Sequence, residues 1–101
     1  MGSLEAEACD MVQCIGVVVR PDPGALVRVV EPFAKLGLVP VSVNSRLFAD
    51  LDELVIDIQI AQMGEEQARR IARTIESFPI TLQVTTGRKY MAASRTTEIS
   101  L

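Results

Sequence analysis

The chain reads as an α+β domain in which a four-stranded antiparallel sheet carries both of its helices on one face, in the order βαββαβ. Three observations predict it. Four short stretches are rich in β-branched residues, and three of them place apolar side chains at alternate positions, the mark of strands with one buried face. Two other stretches change to apolar spacings of three and four, the period of an amphipathic helix. All six fall within residues 11–87 of the 101-residue chain, and two βαβ halves that each cross over right-handedly must set both helices on the same side of the sheet.

The first strand is "MVQCIGVVVR", starting at Met11; it is β-branched and too short and unpatterned for an amphipathic helix, so it reads as a buried strand. In the next segment Leu26, Val29, Val30, Phe33 and Leu36 share one helical face, and Gly37 stands where a C-cap belongs. Asp22 followed by Pro23 suits the start of that helix: the carboxylate accepts first-turn amides, and proline needs no donor there. Pro32 lies inside the pattern. An interior proline deletes a backbone hydrogen bond at about 3 kcal/mol, so a kink or a shortened helix is expected.

The second strand is "LVPVSVNSRLF", with Val39, Val41 and Val43 alternating against Pro40, Ser42 and Asn44. Pro40 marks it as an edge strand, because an interior one would lack a ladder donor there. After the polar turn "ADLDE", the third strand sets Leu54, Ile56, Ile58 and Ile60 on one face and Val55, Asp57 and Gln59 on the other. The second helix, "GEEQARRIARTIESFP", opens with Glu65 and Glu66 at its positive end, buries Ala68, Ile71, Ala72, Ile75 and Phe78, and stops at Pro79. The last strand, "ITLQVTT", adds Thr81, Gln83 and Thr85 to the mixed face opposite the helices. The arrangement is a ferredoxin-like sandwich occupying residues 11–87, with tails at 1–10 and 88–101.

Composition removes several function classes. A length of 101 residues suits one domain, and 49% hydrophobic against 23% charged residues excludes wholesale disorder. A net charge of −3 with scattered Lys and Arg argues against nucleic acid as a partner. Arg69 and Arg70, the densest basic point, read as a solvated helix face. No apolar run is long enough for a membrane helix and the N-terminus lacks a secretory pattern, so no membrane partner and a cytoplasmic location are expected. "MGSLEA" has Ala6 where a myristoylation signal would carry Ser or Thr. Cys9 and Cys14 stand without any histidine, which suits reduced thiols and no metal or cofactor.

The same fold serves many activities, so function has to be read from particular positions. The central strands carry no stacking aromatics for RNA. The loop after the first strand, "RPDPGA", has no cysteine pair to carry a metal. Arg20 and Asn44 superficially match a phosphate-cradling arginine and a water-placing asparagine, but the loop holds one glycine and few free amides. No nucleophile turn is present and the carboxylates fall in turns and helix starts, so the chain reads as a binding or regulatory module and not as an enzyme. Gly24 is the residue that capping does not account for. A missing side chain at a helix N-terminus lets a ligand carboxylate approach the amides of Gly24, Ala25 and Leu26, or equally lets a strand pack closely.

At "VVVRPDPGAL" followed by "FAKLGLVPVSV", within the βαββαβ order, the chain resembles the ACT domain family, and within it the regulatory small subunits of acetohydroxyacid synthase (acetolactate synthase). That resemblance implies a homodimer whose edge strands pair. It also implies an amino-acid effector between the loop at residues 20–26 of one subunit and residues 38–44 of its partner, and a catalytic enzyme subunit under its control. The candidate ligand-binding residues are Asp22, Pro23, Gly24, Ala25 and Leu26 with Val39, Val41 and Ser42. Pro21 and Val39 stand where valine-binding members often carry side-chain amides, so a dimerisation or assembly module without a ligand is the alternative.

Overall fold

A computed structural model describes residues 11–90; both tails beyond them, with Cys9, lie outside the described residues. The elements are β1 (Met11–Val19), α1 (Ala25–Lys35), β2 (Ser42–Phe48), a 3-10 turn (Ala49–Leu51), β3 (Glu53–Ile60), α2 (Glu65–Glu76) and β4 (Thr81–Tyr90). The strands form one sheet in the order β2-β3-β1-β4, every neighbouring pair antiparallel. This is the α+β, βαββαβ architecture expected from the sequence, with β2 at an edge.

One face of the sheet and both helices close the core. β1 supplies Ile15, Val17 and Val19, β3 supplies Ile56, Ile58 and Ile60, α1 supplies Ala25, Val29 and Phe33, and α2 supplies Ala68, Ile71 and Ile75. Full burial of each large side chain contributes about 1.5–3 kcal/mol. The stripe of α1 is rotated from the expected one: Leu26 and Val30 only flank the core, and Leu36 is 53% exposed. The i, i+4 run Ala25–Val29–Phe33 is buried in the core, and Leu36 is the C-cap residue, just past the end of the helix.

Four further boundaries differ from the expectation. Pro32 neither ends nor shortens α1, which continues through it to Lys35. The helix ends in a Schellman arrangement: Leu38 N–H donates to the Phe33 carbonyl at 2.9 Å, and Gly37 N–H to that of Ala34 at 3.0 Å. Gly37 takes φ +73°, the left-handed conformation this turn requires. β2 begins only at Ser42, so Val39 and Pro40 precede the ladder, although Val41 N–H already donates to the Gln59 carbonyl at 2.7 Å. β4 continues past Gly87 to Tyr90, opposite Met11.

Thr81 is the fourth case. The register of β4 shifts between Val18, opposite Gln83, and Val19, opposite Thr81. That bulge places Leu82 as an extra residue and turns Thr81 toward the helices, where its Oγ1 donates to the Ile75 carbonyl at 2.7 Å. Gln83 and Thr85 keep their place on the opposite face with Val55, Asp57 and Gln59.

Candidate functional site

The loop at residues 20–24 leaves β1 beside the start of β4, where Arg20 N–H donates to the Ile80 carbonyl at 2.9 Å. Pro23 and Gly24 form a turn, and α1 begins at Ala25 with Gly24 as its N-cap residue. Asp22 is therefore not the N-cap, and Pro23 does not occupy the first turn. Instead the Asp22 Oδ2 atom accepts the Gly24 N–H at 3.1 Å, and the Asp22 carbonyl accepts the Ala25 N–H at 2.9 Å. Two of the three amides expected to receive a ligand carboxylate are thus already bonded within the loop. A Cβ on Gly24 would meet only Asp22 Oδ2, at 3.5 Å, an ordinary contact.

The remaining candidates lie far from this loop within one chain. Ser42 pairs with Gln59, and Cys14 pairs with the same residue from the other side, so Val39, Val41 and Ser42 sit at the end of the sheet where β1 begins. The loop sits where β1 ends. Several residues of strand rise at about 3.4 Å each separate the two groups, so one chain cannot close both around one small ligand.

The β2 edge carries an apolar row. Val43 and Leu47 pair with Ile58 and Leu54 and so lie on the helix side of the sheet, yet they are 40% and 58% exposed. Val39, Val41 and Leu51 extend the row at either end and are exposed as well. A free ladder edge beside such a row is a surface that soluble proteins normally cover or charge.

The other side of β2 is different. Asn44 lies opposite Asp57, and Arg46 opposite Val55. Together with Ser45 and Phe48 these residues line an open concavity of about 400 Å³ on the face away from the helices. Arg46 and Asp57 are diagonal neighbours on the paired strands, a relationship that leaves the two residues about 7–8 Å apart. The side-chain hydrogen bonds of the described residues belong to Asp22, Thr74, Ser77 and Thr81, and none engages Asn44, Arg46 or Asp57. Next along the face, Gly16 lies between Thr85 and Asp57: a Cβ there would stand 2.9 Å from Thr85 Oγ1 and 3.4 Å from Asp57 Oδ1. Cys14 borders the same area, and burial pushes its thiol up, with the Lys89 charge acting against that and Asp57 adding to it.

This concavity is absent from the sequence reading. The alternation Asn44, Arg46, Phe48 against Val43 and Leu47 was a visible signal, but which strand β2 would meet, and in which register, decides that Arg46 and Asp57 flank one space. Among the described residues no group of three or more His, Cys, Asp or Glu side chains is placed to hold a metal ion. No helix among them is long and apolar enough to cross a membrane.

No family model and no curated protein matches the sequence. Solved structures do match the fold. The C-terminal domain of the MgtC protein from Mycobacterium tuberculosis superposes with a TM-score of 0.64 at 14% identity, over 81% of this chain and 90% of that one. An ACT domain protein from Streptococcus pneumoniae gives 0.56 at 19%, over 83% and 93%. Prephenate dehydratase from Streptococcus mutans gives 0.55 at 22%, over 81% of this chain but 42% of the enzyme. At these identities the likeness is one of fold, and the fold is ACT-like.

Proposed function

We propose that the chain is a non-catalytic regulatory domain that works as a homodimer joined along β2 and responds to an amino acid. The observation that carries this reading is the exposed apolar row of Val41, Val43 and Leu47 beside an open strand edge. A second copy is the natural cover, because two β2 strands can pair antiparallel about a two-fold axis and make one continuous sheet. That pairing reverses the partner's strand, so the partner's β2 start would come to the sheet end where the first chain carries its loop at 20–24. The geometry is compatible with an effector held between subunits, as the ACT resemblance implies. The resemblance further implies an enzyme of amino-acid biosynthesis as the controlled partner, acetohydroxyacid synthase being its nearest form, and valine, leucine and isoleucine as the first ligands to try.

One observation favours a second reading. Asp22 already satisfies the Gly24 and Ala25 amides, which suits an assembly module whose loop caps its own helix and needs no ligand. Calorimetry separates the two. Valine, leucine or isoleucine at millimolar concentration should give a saturable heat, with serine and glycine as controls. A ligand at a hundred times its dissociation constant should also raise stability by about 2.7 kcal/mol. Absence of heat for every amino acid overturns the effector reading and leaves the assembly module.

A further inference from the structure

We infer that the concavity between β2 and β3, on the face away from the helices, is a binding site for a free α-amino acid with an apolar side chain. The inference rests on the small-molecule reading above, but on neither the loop at 20–24 nor dimerisation. Its residues divide into three chemistries that match the three parts of such a molecule. Arg46 offers a guanidinium, whose planar fork suits a carboxylate. Asp57 offers a carboxylate for the ammonium, with the Asn44 amide directly opposite it. Phe48 and Val55 supply apolar surface in the same space. A volume of about 400 Å³ lies at the lower end of the range for small-molecule pockets.

Two further features favour this site over the loop. The charged groups here are not engaged in the side-chain hydrogen bonds of the described residues, whereas the loop amides are consumed by Asp22. The opposite charges are also diagonal on neighbouring strands, which suits a zwitterion whose two charged groups are carried on one α-carbon better than it suits a simple anion or cation. A simple anion would meet Asp57 as a repulsive neighbour, and a simple cation would meet Arg46.

The test uses the whole chain with L-leucine as probe, and two analogues that each lack one charge: 3-methylbutylamine without the carboxylate and 4-methylpentanoate without the ammonium. Calorimetry should show leucine binding, with Arg46→Gln and Asp57→Asn each weakening it about tenfold, the size of one charged hydrogen bond. Each analogue should bind more weakly than leucine. Amide shifts on titration should centre on Asn44, Arg46, Val55 and Asp57. Both substituted side chains are exposed, and unchanged thermal melts would show that the variants fold; should one fail to fold, the analogue series and the shift map still decide. Leucine binding that is lost in Gly24→Asp but full in Arg46→Gln and Asp57→Asn puts the ligand at the loop and overturns the inference while keeping the effector reading. No heat with any amino acid overturns both. Variants that change only the sedimentation of the protein overturn the site and make this face a protein contact.

Discussion

Gly16 shows how a single missing side chain shapes the sheet face opposite the helices. Its virtual Cβ falls 2.9 Å from Thr85 Oγ1, closer than real carbon and oxygen atoms stand, so Gly16→Ala requires Thr85 to turn away. Alanine by itself would favour the strand by about 0.4–1 kcal/mol through the unfolded chain. The clash should outweigh that gain in the parent protein, and the sign should reverse once Thr85 is also alanine. Denaturant melts of the two single variants and the double variant would measure the coupling, expected at about 0.5–1 kcal/mol; strict additivity would show that Thr85 does not limit position 16. At this scale the sequence was a partial guide. Gly37 was legible because the end of a periodic run demands a left-handed residue. Asp22 was read as a helix cap when it caps the turn before the helix, since the same carboxylate can accept amides in either geometry. Gly16 carried no signal, because its reason lies on strands far away in sequence.

Helices and strands were more legible than their caps. The second helix was placed by its apolar stripe, and α2 buries Ala68, Ile71, Ala72 and Ile75 as that stripe requires, while Phe78 packs just beyond its end. Ile75→Ala should therefore cost about 2–5 kcal/mol, the range for emptying a core site of this size. Arg70→Ala, on the exposed side, should change stability by no more than about 0.5 kcal/mol. Equal midpoints in urea for the two variants would mean that the helix is rotated. What periodicity could not supply was the amount of cover each strand receives. β2 alternates as β3 does except at Ser45, yet Val43 and Leu47 remain exposed because the core closed by the helices draws its strand side chains from β1 and β3. Nor could it foresee the bulge that sends Thr81 to the helix side, a local insertion that interrupts period two without leaving a mark on composition.

For the molecule as a whole, the open β2 edge is where the proposed dimer can be tested. Two copies paired along β2 would sediment at twice 11.0 kDa at tens of micromolar, roughly where micromolar affinities show. Val43→Lys should shift the population to the monomer, because a charge inside the apolar row is the device by which natural edges refuse a neighbour. A monomer in the parent protein at that concentration would remove the dimer. The fold class and the edge position of β2 followed from the sequence because they depend on summed patterns; the concavity beside Arg46 and Asp57 did not, because it depends on register alone. The pairing of Met11 with Tyr90 has a different consequence. Paired residues on adjacent strands stand about 5 Å apart, so the described chain enters and leaves the domain at one point. A polypeptide could therefore carry this unit as an insert within another domain's surface loop, with host segments meeting side by side. Joining residue 90 to residue 11 through a short linker and opening the exposed turn at Ala49–Leu51 would turn the same sheet into a circular permutant, without asking any core residue to move.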